Sequence, residues 1–207
     1  GREIWTPGRL VKGPDTSTGP AGTWTIVSGK MEGIAPGFTI RDGTGQIYFI
    51  KFDPPSNPEM SSGAEVISTK FFHAFGYHVP ENYIATVRRE SLVIGDNALI
   101  DDDNGRRRKM DTRDLDALLR QGARAPDGSY RVLASRALDG KPVGPFRYYG
   151  TRPDDPNDIV PHEHRRELRG LLVFCAWLNH DDSRSINTLD TLVPAGGRTI
   201  VSHHLLD

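Results

Sequence analysis

His180-Asp181-Asp182-Ser183-Arg184-Ser185-Ile186-Asn187 is the stretch on which the reading of this chain turns. It sets Asp182 and Asn187 five residues apart in a polar segment that is neither helix- nor strand-like. Alone, such a stretch is a capped loop and nothing more. Its neighbours give it weight. The preceding helix begins near Pro161, a favoured first-turn proline, and carries Leu168, Leu171, Leu172, Cys175 and Leu178 at helical spacing on a buried stripe. After the loop, Thr188 to Val193, the turn Pro194-Ala195-Gly196-Gly197 and Arg198 to Leu206 predict a β-hairpin. The hairpin returns Asp207 to the edge where the loop lies.

The first half of the chain reads differently. Residues 1 to 22 are rich in Gly, Pro, Ser and Thr and suggest an extended leader. Strands follow at Thr23 to Ser28, Phe38 to Arg41 and Gln46 to Phe52, with a glycine-bearing loop from Gly29 to Gly37 and a tight turn at Asp42-Gly43-Thr44-Gly45. A helix runs from Ser62 to Gly76, with Ser62 and Glu65 at capping-box spacing and Val66, Ile67, Phe71, Ala74 and Phe75 at helical intervals. Tyr83 to Val87 is strand-like. The opposed runs Asp101-Asp102-Asp103 and Arg106-Arg107-Arg108-Lys109 flank Asn104-Gly105 as a solvated hairpin tip. Thr112 to Gln121 predicts a short helix with Leu115, Leu118 and Leu119 on one face, and Tyr130 to Ala137 a further strand. Gly140 to Asn157 is a Pro/Gly-rich connection suited to a crossing between lobes.

His180 to Asn187 resembles the catalytic loop of protein kinases, H-R-D-x-x-x-x-N. Lys51 at a strand end and Glu65 in the next helix follow the order of that family's paired lysine and glutamate, and Asp207 stands where the D-F-G aspartate would. Arg184 two residues past Asp182, and a loose glycine turn at Gly29, Gly33 and Gly37, make the chain more similar to HipA-type, phosphoinositide-kinase-like and secretory-pathway kinases than to eukaryotic protein kinases. The likeness spans residues 23 to 207. It implies an α+β, two-lobed kinase-like fold with a leader over 1–22 and an N-lobe over 23–150. That N-lobe would be a mainly antiparallel sheet with one packed helix, and 151–207 would be an incomplete C-lobe.

The implied chemistry is phosphoryl transfer from ATP with Mg2+. Lys51 would meet the α/β-phosphates, Glu65 would hold Lys51, and Asn187 and Asp207 would offer hard oxygen ligands to the metal. Asp182, favoured over Asp181 by its spacing to Asn187, would orient the acceptor and take its proton, with Asp181 as the alternative carboxylate. Backbone amides around Gly29, Lys30, Gly33 and Gly37 would approach phosphate. Asp181 stands where the family has arginine, which removes an anchor for a phosphorylated activation segment. Two other readings stay open: a kinase-like nucleotide-binding or interaction module without transfer activity, and a metal-dependent phosphohydrolase of the HD type using His162, His164, His180-Asp181 and Asp190. Against the second, Pro161-His162-Glu163-His164 lacks the H-E-x-x-H spacing, so both histidines read as exposed first-turn residues.

The bulk properties bound these readings. Hydrophobic residues make up 36% of 207, enough for a core, while 26 Lys+Arg against 27 Asp+Glu give no global field to recruit nucleic acid. Cys175 is the single cysteine and sits in an apolar run, so it reads as a core residue and no intramolecular disulfide can form. The longest apolar run, Leu171 to Leu178, is far shorter than the roughly 18 to 20 residues that span a bilayer. Both termini read as cuts, and no compartment follows from them. The acceptor is not encoded in the residues that carry the likeness.

Overall fold

In the computed structural model residues 4–30, 36–101, 106–206 are described. Gly33, the hairpin tip Asn104-Gly105 and Asp207 lie outside them. Contacts divide the chain into a first unit of Gly1–Phe71 with Pro80–Ala137 and a second of Phe72–Val79 with Leu138–Asp207. Residues 138–150, which the sequence assigned to the first part, therefore group with the second.

The first unit contains α1 (Pro7–Lys12), β1 (Trp24–Lys30), β2 (Gly37–Arg41), β3 (Ile47–Phe52), most of α2 (Met60–Phe75), β4 (Asn82–Val87), β5 (Leu92–Asp101), β6 (Arg107–Lys109), α3 (Thr112–Gln121) and β7 (Tyr130–Arg136). Its seven strands form one sheet in the order β4-β7-β3-β2-β1-β5-β6, antiparallel except where β1 runs parallel to β5. Alternation along β3 decides which face is buried: Tyr48, Ile50 and Phe52 are nearly inaccessible, whereas Phe49 is half exposed. The buried set joins Trp24, Ile26, Phe38, Ile40, Val132 and Ala134, and Leu115, Leu118 and Leu119 of α3 close over it. Large apolar side chains buried this fully contribute about 1.5–3 kcal/mol each, so this face dominates the unit's stability. The opposite face carries Lys51 and Leu133, which are register partners, and Ser135 two residues on. There α2 is pinned by Asn82, whose Nδ2 donates to Thr69 Oγ1 at 2.8 Å and whose Oδ1 accepts from Ser135 Oγ. Two helices thus pack on this sheet, where one was expected.

Two local expectations change. The leader is not extended throughout: Thr6 caps α1 through a bond from Arg9 N, and Pro7 fills the first turn. Farther on, Thr16 N and Oγ1 donate to the Glu81 carboxylate at 2.8–3.0 Å, which also receives Tyr83 Oη and Arg136 Nη1. Burial would raise the Glu81 pKa, but these donors outweigh it and hold it below the ordinary value. In α2 the capping box is absent, because the helix starts at Met60, two residues before Ser62. Its end is capped from outside: buried Asp53, just past β3, accepts from Ser62 N at 2.8 Å and from Ser62 Oγ at 2.5 Å, with Arg131 Nη1 at 3.2 Å.

The second unit holds the end of α2, β8 (Lys141–Gly144), α4 (Arg166–Leu178), β9 (Thr188–Ala195) and β10 (Arg198–Leu205), the strands ordered β10-β9-β8 and antiparallel. The β9–β10 turn places Gly196 and Gly197 at φ 55° and 77°, a left-handed pair that glycine adopts without strain. Leu171 and Cys175 of α4 are buried with Phe72, and Leu168 and Leu178 pack beside them. Leu172 is 74% exposed, because one step along a helix turns it about 100° off that stripe. Among the described residues no helix is long and apolar enough to cross a membrane.

Candidate functional site

Lys51 and Glu65 meet in the first unit. Lys51 Nζ lies 3.1 Å from Glu65 Oε1 and 3.0 Å from Oε2, with side-chain exposures of 34% and 14%. Asp53 explains the meeting: by fixing Ser62 to the end of β3 it sets the first turn of α2 beside that strand, and Glu65 falls one turn along. Lys30 pairs with Gly37, and Gly37 with Lys51, so two lysines occupy matching positions on strands two apart. Directly opposed residues share a face, and two strand spacings separate these backbones by about 10 Å. Two amines so arrayed, one held by a carboxylate, suit a polyanion.

The glycines have packing roles. A Cβ on Gly37 would lie 2.0 Å from Ile50 O. Gly29 is inside β1, not in the loop expected there, and its Cβ would lie 3.0 Å from Ile100 Cδ1 and 3.2 Å from Leu118 Cδ1. Strand approach and the α3 contact therefore account for both residues.

In the second unit, α4 ends at Asn179 in the left-handed conformation, and His180 N donates back to Cys175 O at 2.8 Å. The chain then runs irregularly to one 3₁₀ turn at Ser185–Asn187. Asn187 Nδ2 donates to Asp182 O at 2.8 Å, which closes the loop and leaves Oδ1 as the amide's acceptor oxygen. Asp182 is half exposed, and its Oδ1 accepts from Arg184 Nε at 2.7 Å and from Arg184 Nη2. Asp181 is exposed.

Sequence reading missed the buried charges around this loop. Asp190 is fully buried, bonded to Arg152 Nη1 at 2.5 Å and His203 Nδ1 at 2.6 Å. His162, expected at the surface, is 1% exposed, its Nε2 lying 2.7 Å from Asp158 Oδ2 and its Nδ1 against Arg147 O. Burial pushes the Asp158 pKa up, but the Arg152 amide, His162 and Arg165 outweigh it and keep the carboxyl below its ordinary range. His204 is driven the other way: burial, with His78 adding to it, lowers its pKa to about 4. No sequence signal marked the Arg152–Asp190 pair, whose partners lie 38 residues apart, whereas Asp158 and His162, at i,i+4 spacing, were within local reach.

His162, His164, His180, Asp181 and Asp190 do not assemble into a metal-holding group; among the described residues no three His, Cys, Asp or Glu do. The HD-type arrangement of ligands is therefore not formed by these residues. Neither a family model, nor a curated protein, nor a solved structure matches this chain.

Proposed function

We propose that this chain is a divergent kinase-like phosphotransferase of two-lobed fold, acting on a nucleoside triphosphate, ATP being the expected one, with Mg2+. The observation that carries the reading is the Lys51 to Glu65 ion pair: a lysine whose head is fixed by a carboxylate from the next helix, in register with Lys30. The donor chemistry fits. Asn187 Oδ1 is a hard oxygen, suited to Mg2+, and phosphate oxygens of the nucleotide would complete the shell. Asp207 is proposed as a second oxygen ligand. Bound, the metal nucleotide supplies the phosphoryl group and neutralises its charge.

The chain's own residues then divide the work. Lys51 binds phosphate oxygens, and Glu65 keeps its ammonium from wandering, so little ordering remains to be done on binding. Asp182 accepts a hydrogen bond from the acceptor group and takes its proton. Arg184 offsets the charge of Asp182 until the acceptor displaces it. A second reading, a nucleotide-binding module without transfer, is favoured by that same contact, since Arg184 occupies Asp182. Exposed pairs of this kind are worth only about 0–1 kcal/mol and open readily, which ranks it second.

The test is transfer of the γ-phosphoryl group from MgATP, to the protein itself and to generic acceptors, alongside nucleotide binding. Lys51→Met should cut the transfer rate by about 10²–10³-fold. Asp182→Ala should do the same while sparing nucleotide binding. Binding without transfer in the unaltered protein would favour the module, and no binding of any Mg2+-nucleoside triphosphate would refute both.

A further inference from the structure

The loop at residues 180–188 has almost no regular structure, so something else must define its shape. Within it, Arg184 N donates to Asp182 O and Asn187 N to Arg184 O, both at 2.8 Å. From outside, the backbone of one residue holds it at two points: Phe146 N donates to Thr188 Oγ1 at 2.8 Å, and Phe146 O accepts from Ser185 Oγ, while Leu206 N donates to Asn187 O at 2.9 Å. What fixes Phe146 is the buried His162, whose ring stacks on the phenyl ring at 4.4 Å between centroids and 13° between planes.

The ring of His162 lies between two acceptors, the Arg147 carbonyl at Nδ1 and the Asp158 carboxylate at Nε2. Either neutral tautomer would point a lone pair at an oxygen lone pair. Only the imidazolium donates to both. Its carboxylate is fixed in turn by the Arg152 amide at 2.7 Å and by Arg165 Nη2. His203 also meets the Phe146 ring edge-on at 4.6 Å and bonds to Asp190, itself paired with Arg152.

We propose that His162, held as an imidazolium between Arg147 O and Asp158, is a positioning residue for the Asp182–Asn187 loop, acting through its stack on Phe146. Its service to transfer rests on the kinase-like reading, whereas the strut itself does not. A cation over the aromatic face adds attraction to the stack, and the bonds at Nδ1 and Nε2 keep the ring from turning. His162 touches neither acceptor nor nucleotide in this scheme.

Two readouts test it on the full chain. In the ¹⁵N spectrum of the native protein at neutral pH, both ring nitrogens of His162 should be protonated; a neutral ring would overturn the proposal. In native-state hydrogen exchange, His162→Phe keeps a stacking ring but removes both donors. The amides of Phe146, Arg184 and Asn187 should lose protection roughly tenfold or more, while the β9–β10 ladder keeps its own. Unchanged protection at those three amides would refute the strut. Should that variant fail to fold, Phe146→Leu, which keeps the peptide but not the stack, is expected to show the same selective loss, and the same null result would count against it. If the unaltered protein transfers phosphoryl groups, His162→Phe should lower kcat and, because Asn187 lies in the loosened loop, raise the nucleotide KM. A protein with no transfer at all but with the selective loss of protection would sink the kinase-like reading and leave the strut standing.

Discussion

Lys51 with Glu65, and Asp182 with Asn187, are placed by opposite means. The first pair stands on regular elements, where ladder register and one buried carboxylate, Asp53, determine which side chains meet. The second stands on a loop with one 3₁₀ turn, shaped by side chains bonding to backbone and by a buried cluster of charges behind Phe146. Regular elements fix a site through register and close strand approach, so that site fails where this geometry itself is broken, at Gly37 or Asp53. A loop fixed by a few side-chain bonds fails when one of those bonds is lost. The difference predicts where each region is fragile.

The largest expected effect is at Gly37, where an added Cβ would meet backbone 2.0 Å away and force β2 from β3. Gly37→Ala should cost about 3 kcal/mol or more, lowering the melting midpoint by roughly 6–12 °C. A midpoint within 2 °C of the parent would show that close strand approach is not why glycine stands there. Next is Asp53→Ala, which strips the cap of α2 and leaves Arg131 without that carboxylate. A loss of about 2–3 kcal/mol is expected, together with loss of the Lys51–Glu65 contact in a crystal structure of the variant. If the contact survives, Asp53 does not register the helix.

A pH titration separates the two regions further. His204 has its pKa lowered to about 4 by burial, so the unfolded chain binds its proton first. Its contribution is intact above about pH 6.5 and is lost progressively as pH falls toward 4. The depressed carboxyls Asp158 and Glu81 act later, below their ordinary values of 3.8 and 4.5. His204→Gln should therefore flatten the stability curve between pH 6.5 and 4.5 in urea denaturation, and an unchanged slope would contradict the burial of that ring. The smallest expected effect is Lys51→Met, a pair open to solvent on one side, at under about 1 kcal/mol. A larger loss would make Lys51 structural and weaken its assignment to phosphate.

Periodicity explains what was legible in the sequence. Alternation at residues 47–52, the leucines of Thr112–Gln121 and the paired glycines at 196 and 197 state their structure locally, and the elements stand where they were expected. Long-range polar pairing was not legible. Ser62 and Glu65 matched a local capping rule, yet Asp53 supplied the cap and Glu65 went to Lys51, because a carboxylate already buried at the strand end competes better for the helix amides. His162 looked like a first-turn surface residue, and nothing nearby in sequence announced the ring of Phe146 that buries it. Of the residues singled out for function, Lys51, Glu65, Asp182 and Asn187 fall into two bonded pairs. Gly29 and Gly37 have packing reasons, and Gly33 and Asp207 lie outside the described residues.

The proposed binding of a metal nucleotide is tested most directly by ligand-dependent melting. At about 100 times its dissociation constant a ligand of the folded state adds roughly 2.7 kcal/mol, which for a chain of this size raises the midpoint by about 5–11 °C. MgATP should produce that shift, neither Mg2+ nor ATP alone should, and Lys51→Met or Asn187→Ala should remove most of it while Asp182→Ala keeps it. A folded protein whose midpoint does not move with any Mg2+-nucleoside triphosphate would contradict the account.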